Sequence, residues 1–502
     1  MRLIGALGAA SLLAITACSA EDPNEETAVI VGADICASVD AAMVGARQST
    51  ASWIEANAET GLPAFCEVTA TLSPVEGSSI GVVFRLPEQW NGRLLGLGGG
   101  GWAGNVTLLA AAEGLQAGYA TAQTDGGHPQ SDVWFNEWMT DPVQVEDFAA
   151  RAIHEMTVSG KSLVAAYYGQ SHDRAYFQGC STGGRMALMS AQRHPQDYDA
   201  ISAGAPVYTL QVQTSAIMRS NLFGEPGAGL TADQLGLVNS AVMQACDAKD
   251  GLQDGIINDP RACHWDPGEL VCEAGDSANS CISSTQANAL RTAYAGIRAP
   301  DGEWAMLPLA RGGEPGWSPF IAADGATIAP INTGGIITMG EPLFGDPDFD
   351  FSGFSASDAM TARSSAFAET YEAKDPDLSD FIANGGVLLL WHGENDQAPN
   401  TVATADYVEQ VYALDPDARA NVRYFPLPAV PHCRGGPGAD DLGLLTALDN
   451  WVDSASAPDE LSATNETAGI TRKICAWPQV ARYAGSADGN DIDGWECVAR
   501  SE

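Results

Sequence analysis

The chain has 502 residues, of which 45% are hydrophobic and 18% are charged. This length and composition support a large hydrophobic core and exclude a chain that is disordered over most of its length. The formal net charge of −40, from 64 acidic and 24 basic residues, argues against nucleic acids and anionic membrane surfaces as partners, because their phosphate groups would be repelled.

The N-terminus has the pattern of an export signal. Met1 and Arg2 precede an apolar run from Leu3 to Ala17, which is too short to span a bilayer. The sequence Ile15-Thr16-Ala17-Cys18 resembles a bacterial lipobox; the alternative is an ordinary signal peptide that is cut nearby. We therefore predict export, with residues 1–18 as the signal, Cys18 as the acylated N-terminus and residues 19–30 as a tether. The destination is the periplasm or the outer membrane, or the protein is secreted, and any membrane contact is through this anchor alone.

Strand and helix patterns alternate through the first half of the chain. Strands are predicted, in chain order, at 79–86, 93–96, 119–123, 175–178 and 200–203, and helices at 107–117, 148–168 and 183–193. This alternation predicts an α/β fold, in which a mostly parallel sheet is covered by helices on both faces.

The alternation stops after about residue 208. Residues 209–374 are rich in Gly, Pro and Asp and have few clean periods, which favours a large inserted lid domain. A buried strand at 387–391 and a helix at 404–412 then resume the earlier pattern. We predict one catalytic domain, formed by residues 31–208 and 375–502 and interrupted by the lid.

The pentapeptide Gly179–Gly183 has the pattern Gly-x-Ser-x-Gly, with a predicted strand before it and a helix after it. That context suits a sharp strand-to-helix turn that exposes the hydroxyl of Ser181 above the sheet. The pentapeptide Gly77–Gly81 also matches the pattern, but it leads into a strand. We therefore predict that Ser181 is a nucleophile in an α/β-hydrolase fold.

A serine nucleophile needs a base, and the base needs a carboxylate that orients it. In this fold the acid and then the histidine follow the serine along the chain. His432 lies in a late loop and is the predicted base. Asp396 follows the buried strand 387–391 and is the predicted acid, with Glu394 as its rival. His392 at the end of that strand is expected to support Asp396.

The developing oxyanion needs two N–H donors. One is expected to be the backbone of Thr182, because it opens the helix after Ser181. The other is expected at Gly99 or Gly100, within the run Gly98–Gly101. A phosphate-binding loop is the alternative for this run, but no Lys-Ser/Thr pair follows it.

Eleven cysteines are present, and ten remain if Cys18 is set aside. In an exported protein an even number favours disulfides. Local spacing suggests the four pairs Cys36–Cys66, Cys246–Cys263, Cys272–Cys281 and Cys475–Cys497. Cys180 and Cys433 are left over, and each adjoins a predicted catalytic residue, so a bridge between them is a hypothesis. A zinc site is the rival, but no pair has the two-residue spacing of a zinc knuckle.

The stretch Asp247–Ile256 carries three carboxylates and two glycines within ten residues. Hard oxygen ligands on a tight loop suit calcium, although the spacing is not that of an EF-hand. A plain acidic turn closed by a Cys246–Cys263 bridge is the alternative.

Together these motifs resemble the tannase and feruloyl esterase family, which also includes mono(2-hydroxyethyl) terephthalate hydrolase. The resemblance rests on Gly179–Arg185, Asp396 and the pair His432-Cys433, and it extends from about Cys36 to Cys497. It implies five disulfides, including Cys180–Cys433. It also implies structural Ca²⁺ held by the side chains of Asp247, Asp250 and Asp254 and the carbonyls of Leu252 and Ile256, and no organic cofactor.

The activity that this resemblance implies is serine-dependent hydrolysis of carboxylic esters of aromatic acids, such as feruloyl or galloyl esters. The partner is then a small aromatic ester. The alternatives are hydrolysis of terephthalate monoesters, acyl transfer or peptide hydrolysis on the same triad, and a non-catalytic surface binding protein. The family's terephthalate enzyme uses a lid arginine to hold a free carboxylate; Arg311 and Arg363 are lid arginines here, and we expect both to be surface residues.

Overall fold

The structure is a computed structural model that describes residues 29–128, 137–275, 280–317, 339–485 and 489–500. The predicted signal segment, Cys18 and most of the tether lie outside the described residues. Among the described helices, none has the length and apolar character that crossing a bilayer requires.

Strands alternate with helices along the chain, as predicted. The strands are β1 (Val29–Ile30), β2 (Ser49–Ile54), β3 (Phe65–Leu72), β4 (Ile80–Pro87), β5 (Gln89–Trp90), β6 (Arg93–Leu97), β7 (Ala120–Thr124), β8 (Arg174–Cys180), β9 (Ala200–Gly204), β10 (Ile297–Arg298), β11 (Trp304–Met306), β12 (Val387–Gly393), β13 (Val422–Leu427), β14 (Glu460–Asn465), β15 (Ile470–Cys475), β16 (Gln479–Tyr483) and β17 (Trp495–Ala499).

The helices are α1 (Ala33–Cys36), α2 (Ala41–Val44), α3 (Leu108–Gln116), α4 (Pro142–Glu146), α5 (Ala152–Tyr168), α6 (Thr182–Arg193), α7 (Gln211–Gly224), α8 (Ala232–Cys246), α9 (Ser284–Ala295), α10 (Gly340–Phe344), α11 (Ala356–Arg363), α12 (Ala366–Tyr371), α13 (Ser379–Ala383), α14 (Thr401–Leu414) and α15 (Leu444–Ser454). A π-helical turn at Asp147–Arg151 leads directly into α5.

Within the described residues, nine strands form one sheet in the order β13-β12-β9-β8-β6-β7-β4-β3-β2. The strands from β13 to β7 are parallel, and β4, β3 and β2 are antiparallel to their neighbours. The predicted fold class is confirmed: this is a mostly parallel α/β-hydrolase sheet.

Both faces of the sheet are buried, because side chains alternate between two cores along each strand. In β12, Leu388 and Leu390 belong to the core that includes Met156 of α5. Leu389 belongs to the opposite core, which includes Trp451 of α15. Helices therefore cover the sheet on both sides, and the carboxyl ends of the parallel strands remain as the edge where loops can meet.

The block predicted as a lid, residues 209–374, lies in the connection between β9 and β12. It contains α7 to α12 and the hairpin β10–β11, and in its described part it adds no strand to the large sheet. Helices α7 to α9 have a hydrophobic core of their own, which includes Phe223, Val238, Leu290 and Trp317. Helices α10 to α12 instead contribute to the core that includes Met156.

Some elements were not predicted from the sequence. The antiparallel strands β2 and β3 flank one side of the sheet. After α15 the chain forms two hairpins, β14–β15 and β16–β17, outside the large sheet. The Cys475–Cys497 bridge joins these two hairpins.

Five disulfides are present in the described chain, and their pairings are those predicted. They are Cys36–Cys66, Cys180–Cys433, Cys246–Cys263, Cys272–Cys281 and Cys475–Cys497. Disulfides form and persist in oxidising compartments. The chain is therefore an exported protein.

Candidate active site

Ser181 occupies the turn between β8 and α6, as the sequence predicts. Its backbone angles are φ 64° and ψ −122°, which are unusual for a residue with a side chain and cost of order 1–3 kcal/mol. The Ser181 N–H donates to Gly204 O at 3.0 Å, and the Val207 N–H donates to Ser181 O at 3.1 Å. These bonds hold the strained residue in place, half-buried at the carboxyl edge of the sheet.

Glycines around Ser181 allow backbone segments to pack against the turn at close range. A Cβ on Gly179 would lie 2.5 Å from the carbonyl carbon of Gly183, and one on Gly184 would lie 2.2 Å from Gly204 O. Such distances are well inside van der Waals contact, so a side chain at either position would open the turn.

His432 and Asp396 are in direct contact. His432 Nδ1 donates to Asp396 Oδ2 at 2.6 Å, because an ionised carboxylate can only accept. Burial favours the neutral imidazole, but the charge of Asp396 and this hydrogen bond outweigh it and raise the pKa of His432 above the ordinary 6.5. With its proton on Nδ1, neutral His432 keeps Nε2 free to accept a proton.

A second histidine holds the same carboxylate, as expected for His392. His392 Nε2 donates to Asp396 Oδ2 at 3.1 Å, and its Nδ1 lies 2.8 Å from Thr404 Oγ1. Burial alone would raise the pKa of Asp396, but the positive charge of His432 and the hydrogen bonds from both histidines lower it to about 2. Asp396 is therefore ionised at neutral pH although it is 1% exposed.

Arg219 is a positioning residue that sequence analysis did not single out. It is buried on α7 in the lid block and donates to Gln397 O, next to Asp396, and to Leu307 O at 2.9 Å. Burial lowers the pKa of Arg219 to about 10, while the charge of Asp396 acts in the opposite direction. No local periodicity or motif marks such a contact between the lid and the acid loop.

The structure also separates the predicted residues from their rivals. Glu394 accepts from Arg500 Nη2 at 2.9 Å and from Thr401 Oγ1 at 2.8 Å, so it forms a structural ion pair rather than a contact with His432. Ser79, in the second Gly-x-Ser-x-Gly match, is exposed and leads into strand β4.

The Cys180–Cys433 disulfide brings the predicted nucleophile and the predicted base near each other. The two Cα atoms are 6.0 Å apart across 253 residues of sequence separation. Because consecutive Cα atoms are about 3.8 Å apart, the Cα atoms of Ser181 and His432 are at most about 14 Å apart. The bridge links the residue before Ser181 to the residue after His432.

The glycine loop lies beside Ser181, but its N–H groups already have partners. The Gly99 N–H points at Met186 Sδ at 3.4 Å, and the Gly100 N–H donates to Ala103 O at 3.1 Å. A Cβ on Gly100 would meet nothing within 4 Å, whereas one on Gly99 would lie 2.2 Å from Ala103 O. Thr182 Oγ1 holds the loop by donating to Gly101 O. The second oxyanion donor stays a prediction, which requires one of these N–H groups to change its partner.

Each arginine of the lid contacts another residue of the protein. Arg311 donates to Trp265 O at 3.0 Å, and Arg363 pairs with Asp301 at 2.8 Å. The other four lid arginines also contact protein groups. Arg219 donates to the Gln397 carbonyl, and Arg291 pairs with the Asp266 carboxylate. Arg261 lies over the Trp477 ring, and Arg298 lies over the Trp304 ring. The described residues include every arginine between positions 209 and 374, and each of the six therefore has at least one contact with another residue of the protein.

The predicted calcium loop follows α8 and turns back on itself. Asp247 accepts from the Gly255 N–H at 3.1 Å, and Asp250 Oδ1 accepts from the Leu252 N–H at 3.0 Å. Asp250 Oδ2 is buried without a hydrogen-bond partner. Burial, together with the charges of Asp254 and Asp247, raises the pKa of Asp250 to about 7. Asp254 directs one carboxylate oxygen at Arg472.

These residues fit a hard cation. The loop offers carboxylate and carbonyl oxygens, and one carboxylate oxygen is buried and unsatisfied, which a cation would correct. The donors would be the side chains of Asp247 and Asp250, the remaining oxygen of Asp254, and the predicted backbone carbonyls of Leu252 and Ile256. The ion would offset the mutual repulsion of the three carboxylates and fix the turn that Cys246–Cys263 closes.

Comparisons with known proteins agree with this geometry. The family described as "Tannase and feruloyl esterase" matches residues 66–498. The mono(2-hydroxyethyl) terephthalate hydrolase of Piscinibacter sakaiensis is 31% identical, over 89% of this chain and 88% of that protein. A probable feruloyl esterase B-1 of Aspergillus fumigatus is 29% identical, over 86% of each chain. The crystal structure of feruloyl esterase B from Aspergillus oryzae superposes with a TM-score of 0.80 and 26% identity, over 89% of this chain and 96% of that one.

The Cys180–Cys433 bridge should contribute more to the stability of the fold than the Cys272–Cys281 bridge in the lid. Replacing both cysteines with serine should lower the free energy of unfolding on the order of 5 kcal/mol, and replacing Cys272 and Cys281 by about half of that, because the first bridge closes a far longer loop. Denaturant unfolding measures both losses. Labelling of Ser181 by a fluorophosphonate should slow only in the first variant; equal labelling rates in the two would contradict a role in positioning the base.

Proposed function

The chain belongs to the tannase and feruloyl esterase family and is a carboxylic ester hydrolase; from this premise we propose that it hydrolyses esters of aromatic acids through an acyl-enzyme on Ser181. The observation that carries this proposal is the contact between His432 and Asp396, on a loop that the Cys180–Cys433 bridge joins to the turn of a serine held at φ 64°. A hydroxyl, an imidazole and a carboxylate in this order are the parts that nucleophilic acyl transfer requires.

In the proposed reaction, Ser181 Oγ attacks the ester carbonyl carbon while His432 Nε2 takes the hydroxyl proton. The negative charge that develops on the carbonyl oxygen is stabilised by the N–H of Thr182, at the start of α6, where the helix dipole is positive. The tetrahedral intermediate collapses, the C–O bond to the alcohol breaks, and the proton passes from His432 to the leaving alcohol.

Water then completes the cycle. His432 removes a proton from water, the resulting hydroxide attacks the acyl carbon, and the bond to Ser181 Oγ breaks as the proton returns to that oxygen. Both halves need a neutral His432. Because Asp396 raises the pKa of this histidine, the rate should rise with pH through a midpoint above 6.5.

The aromatic acid is supported by the relatives and not by a contact in this structure. One relative is described as a feruloyl esterase and another as a terephthalate monoester hydrolase. These two substrates differ in charge on the acid side, since only the second carries a free carboxylate. We assign neutral esters of the feruloyl type to this chain, because its lid arginines all have other partners and its net charge is −40.

We also propose that the exported chain is a lipoprotein acylated on Cys18. The support is the sequence Ile15-Thr16-Ala17-Cys18 and the acidic residues that follow it. The mass of the mature N-terminus would show whether a diacylglyceryl cysteine is present; a mature chain that lacks Cys18 would rule the anchor out.

Replacing the nucleophile should abolish turnover without unfolding the protein. Ser181→Ala should reduce the kcat for methyl ferulate by about 10⁶-fold, as for other serine hydrolases that lose the nucleophile. Ser79→Ala is the matched control, because Ser79 has the same flanking pattern but stands before a strand. Retained turnover in the first variant, or a comparable loss in the second, would overturn the assignment of Ser181.

Substrate charge should discriminate between the two kinds of relative. Dimethyl terephthalate and monomethyl terephthalate share the ring and the scissile methyl ester and differ in one carboxylate. The neutral diester should have a kcat/KM at least about tenfold higher, because the monoester's carboxylate meets lid arginines that already contact other residues and is repelled by the strongly acidic chain. A monoester that reacts as fast as the diester would count against neutral substrates but leave the serine mechanism intact.

We propose, too, that the loop Asp247–Ile256 binds a structural Ca²⁺. Chelation of calcium should lower the free energy of unfolding by about 3–4 kcal/mol if the ion is present at 100 to 1,000 times its Kd. Thermal unfolding with and without EGTA measures the loss. Asp250→Asn should remove the response to EGTA, while Asp348→Asn, an exposed lid residue with the same change in charge, should keep it. An unchanged melting temperature in wild-type protein would contradict the calcium site and would leave Arg472 as the cation that offsets the carboxylates of the loop.

A further inference from the structure

Three ligand side chains converge where α5 passes the end of α6, away from Ser181 and from the calcium loop. His154 lies in the first turn of α5, His194 directly follows α6, and Asp197 follows three residues later. One ligand atom from each residue can be chosen so that all three lie within 4.8 Å of one another. We propose that these residues form a binding site for a divalent transition metal, with Zn²⁺ as the ion that fits best.

The three side chains lie next to one another. His154 Nδ1 lies 2.8 Å from Asp197 Oδ2. The imidazole of His194 stacks on that of His154, with ring centroids 3.9 Å apart and an angle of 12° between the planes. Ligand atoms around a tetrahedral zinc ion with bonds of about 2.0–2.1 Å are about 3.3 Å apart. Binding would therefore require the two imidazoles to rotate out of the stack, so that one nitrogen of each faces the ion.

The backbone fixes two of these ligands relative to each other. The His194 N–H donates to Ser190 O at 2.9 Å, in the last turn of α6, and the Asp197 N–H donates to His194 O at 3.0 Å. Asp197 is 7% exposed, whereas the side chain of His154 is 32% exposed. The buried carboxylate of Asp197 would hold an ion in a fixed position, and the exposed imidazole of His154 would let the ion reach the site from solvent.

The donor set selects the metal. Two imidazole nitrogens and one carboxylate oxygen suit zinc, and the fourth position would be taken by water. Calcium prefers oxygen ligands alone, so this site and the loop Asp247–Ile256 differ in the ion that they bind. Charged neighbours do not exclude a cation: Glu155 lies on the same helix, and Lys161 directs its ammonium group at Gln196 O, 3.3 Å away.

The site would be structural. Helix α6 begins directly after Ser181 and ends directly before His194, so the two ends of this 12-residue helix are about 18 Å apart. An ion at His194 cannot reach a substrate at Ser181. It would instead tie the far end of the nucleophile-bearing helix to α5, and its loss should be seen in stability and not in the chemical step.

Metal binding to protein without a polyhistidine tag tests the proposal. The protein is stripped with a zinc-selective chelator in excess calcium, so that the calcium loop stays saturated, and is then titrated with Zn²⁺ by calorimetry and with Co²⁺ by visible absorption. We expect one equivalent to bind with a Kd in the micromolar range or tighter, a higher melting temperature, and the absorption band of tetrahedral cobalt.

Variants separate this site from the other histidines. The double substitution His154→Gln with His194→Gln should weaken binding by about 100-fold or more, because loss of even an outer partner costs about 10–100-fold. His264→Gln, at an exposed lid histidine, should bind as wild type does. If the double variant does not fold, Asp197→Asn takes its place.

Two results would overturn the site. Wild-type protein that binds no stoichiometric Zn²⁺ or Co²⁺ would show that His154 and Asp197 form only an ion pair. Equal binding by wild type and by the ligand variants would place the ion elsewhere, for example at His432. Neither result bears on the proposed ester hydrolysis, because His154 and His194 lie outside the catalytic residues.

Discussion

The close packing of backbone around Ser181 is the constraint on which the site depends. A residue with a side chain holds φ 64° and ψ −122° only where its surroundings leave it no alternative. Here β8, α6 and the glycine loop meet within van der Waals contact: a Cβ on Gly98 would lie 2.4 Å from the Cα of Gly183, which leaves no room for a side chain. The same contact brings the glycine loop to the nucleophile, so strain at the turn and placement of the oxyanion loop have one cause.

His432, the proposed base, is fixed in position by three sets of contacts. Asp396 is held between His432 and His392, the lid holds the adjoining loop through Arg219, and the Cys180–Cys433 bridge ties the histidine loop to the nucleophile turn. Two imidazoles on one carboxylate keep it ionised in a buried place, where an isolated charge would be costly. The acid loop therefore depends on the lid for its position, although the lid contributes no residue to the triad.

The arginines of the lid all contact other residues. Each is bound to a carbonyl, a carboxylate or an aromatic ring, and Arg219 and Arg261 reach Gln397 and Trp477 outside the lid. Helices α7 to α9 have a separate core, whereas α10 to α12 contribute to the core of the large sheet. A guanidinium group that is already in contact with a neighbour is less available to an anionic substrate. This is the basis for proposing neutral esters over the terephthalate monoester named for one of the relatives.

Local patterns in the sequence were enough to predict the alternating strands and helices, the strand-to-helix turn at Ser181, and four of the five disulfides from spacing. These succeed because alternation, turn chemistry and short loops are properties of neighbouring residues. Strands β2 and β3 and the C-terminal hairpins were not predicted, since antiparallel pairing depends on partners elsewhere in the chain. The contacts of Arg219, the ion pair of Glu394 with Arg500, the partners of the glycine-loop N–H groups and the cluster of His154, His194 and Asp197 were decided only by tertiary structure. Each of these contacts joins segments whose relation cannot be read from a local sequence pattern. The packing of the folded chain determines which side chain reaches which partner.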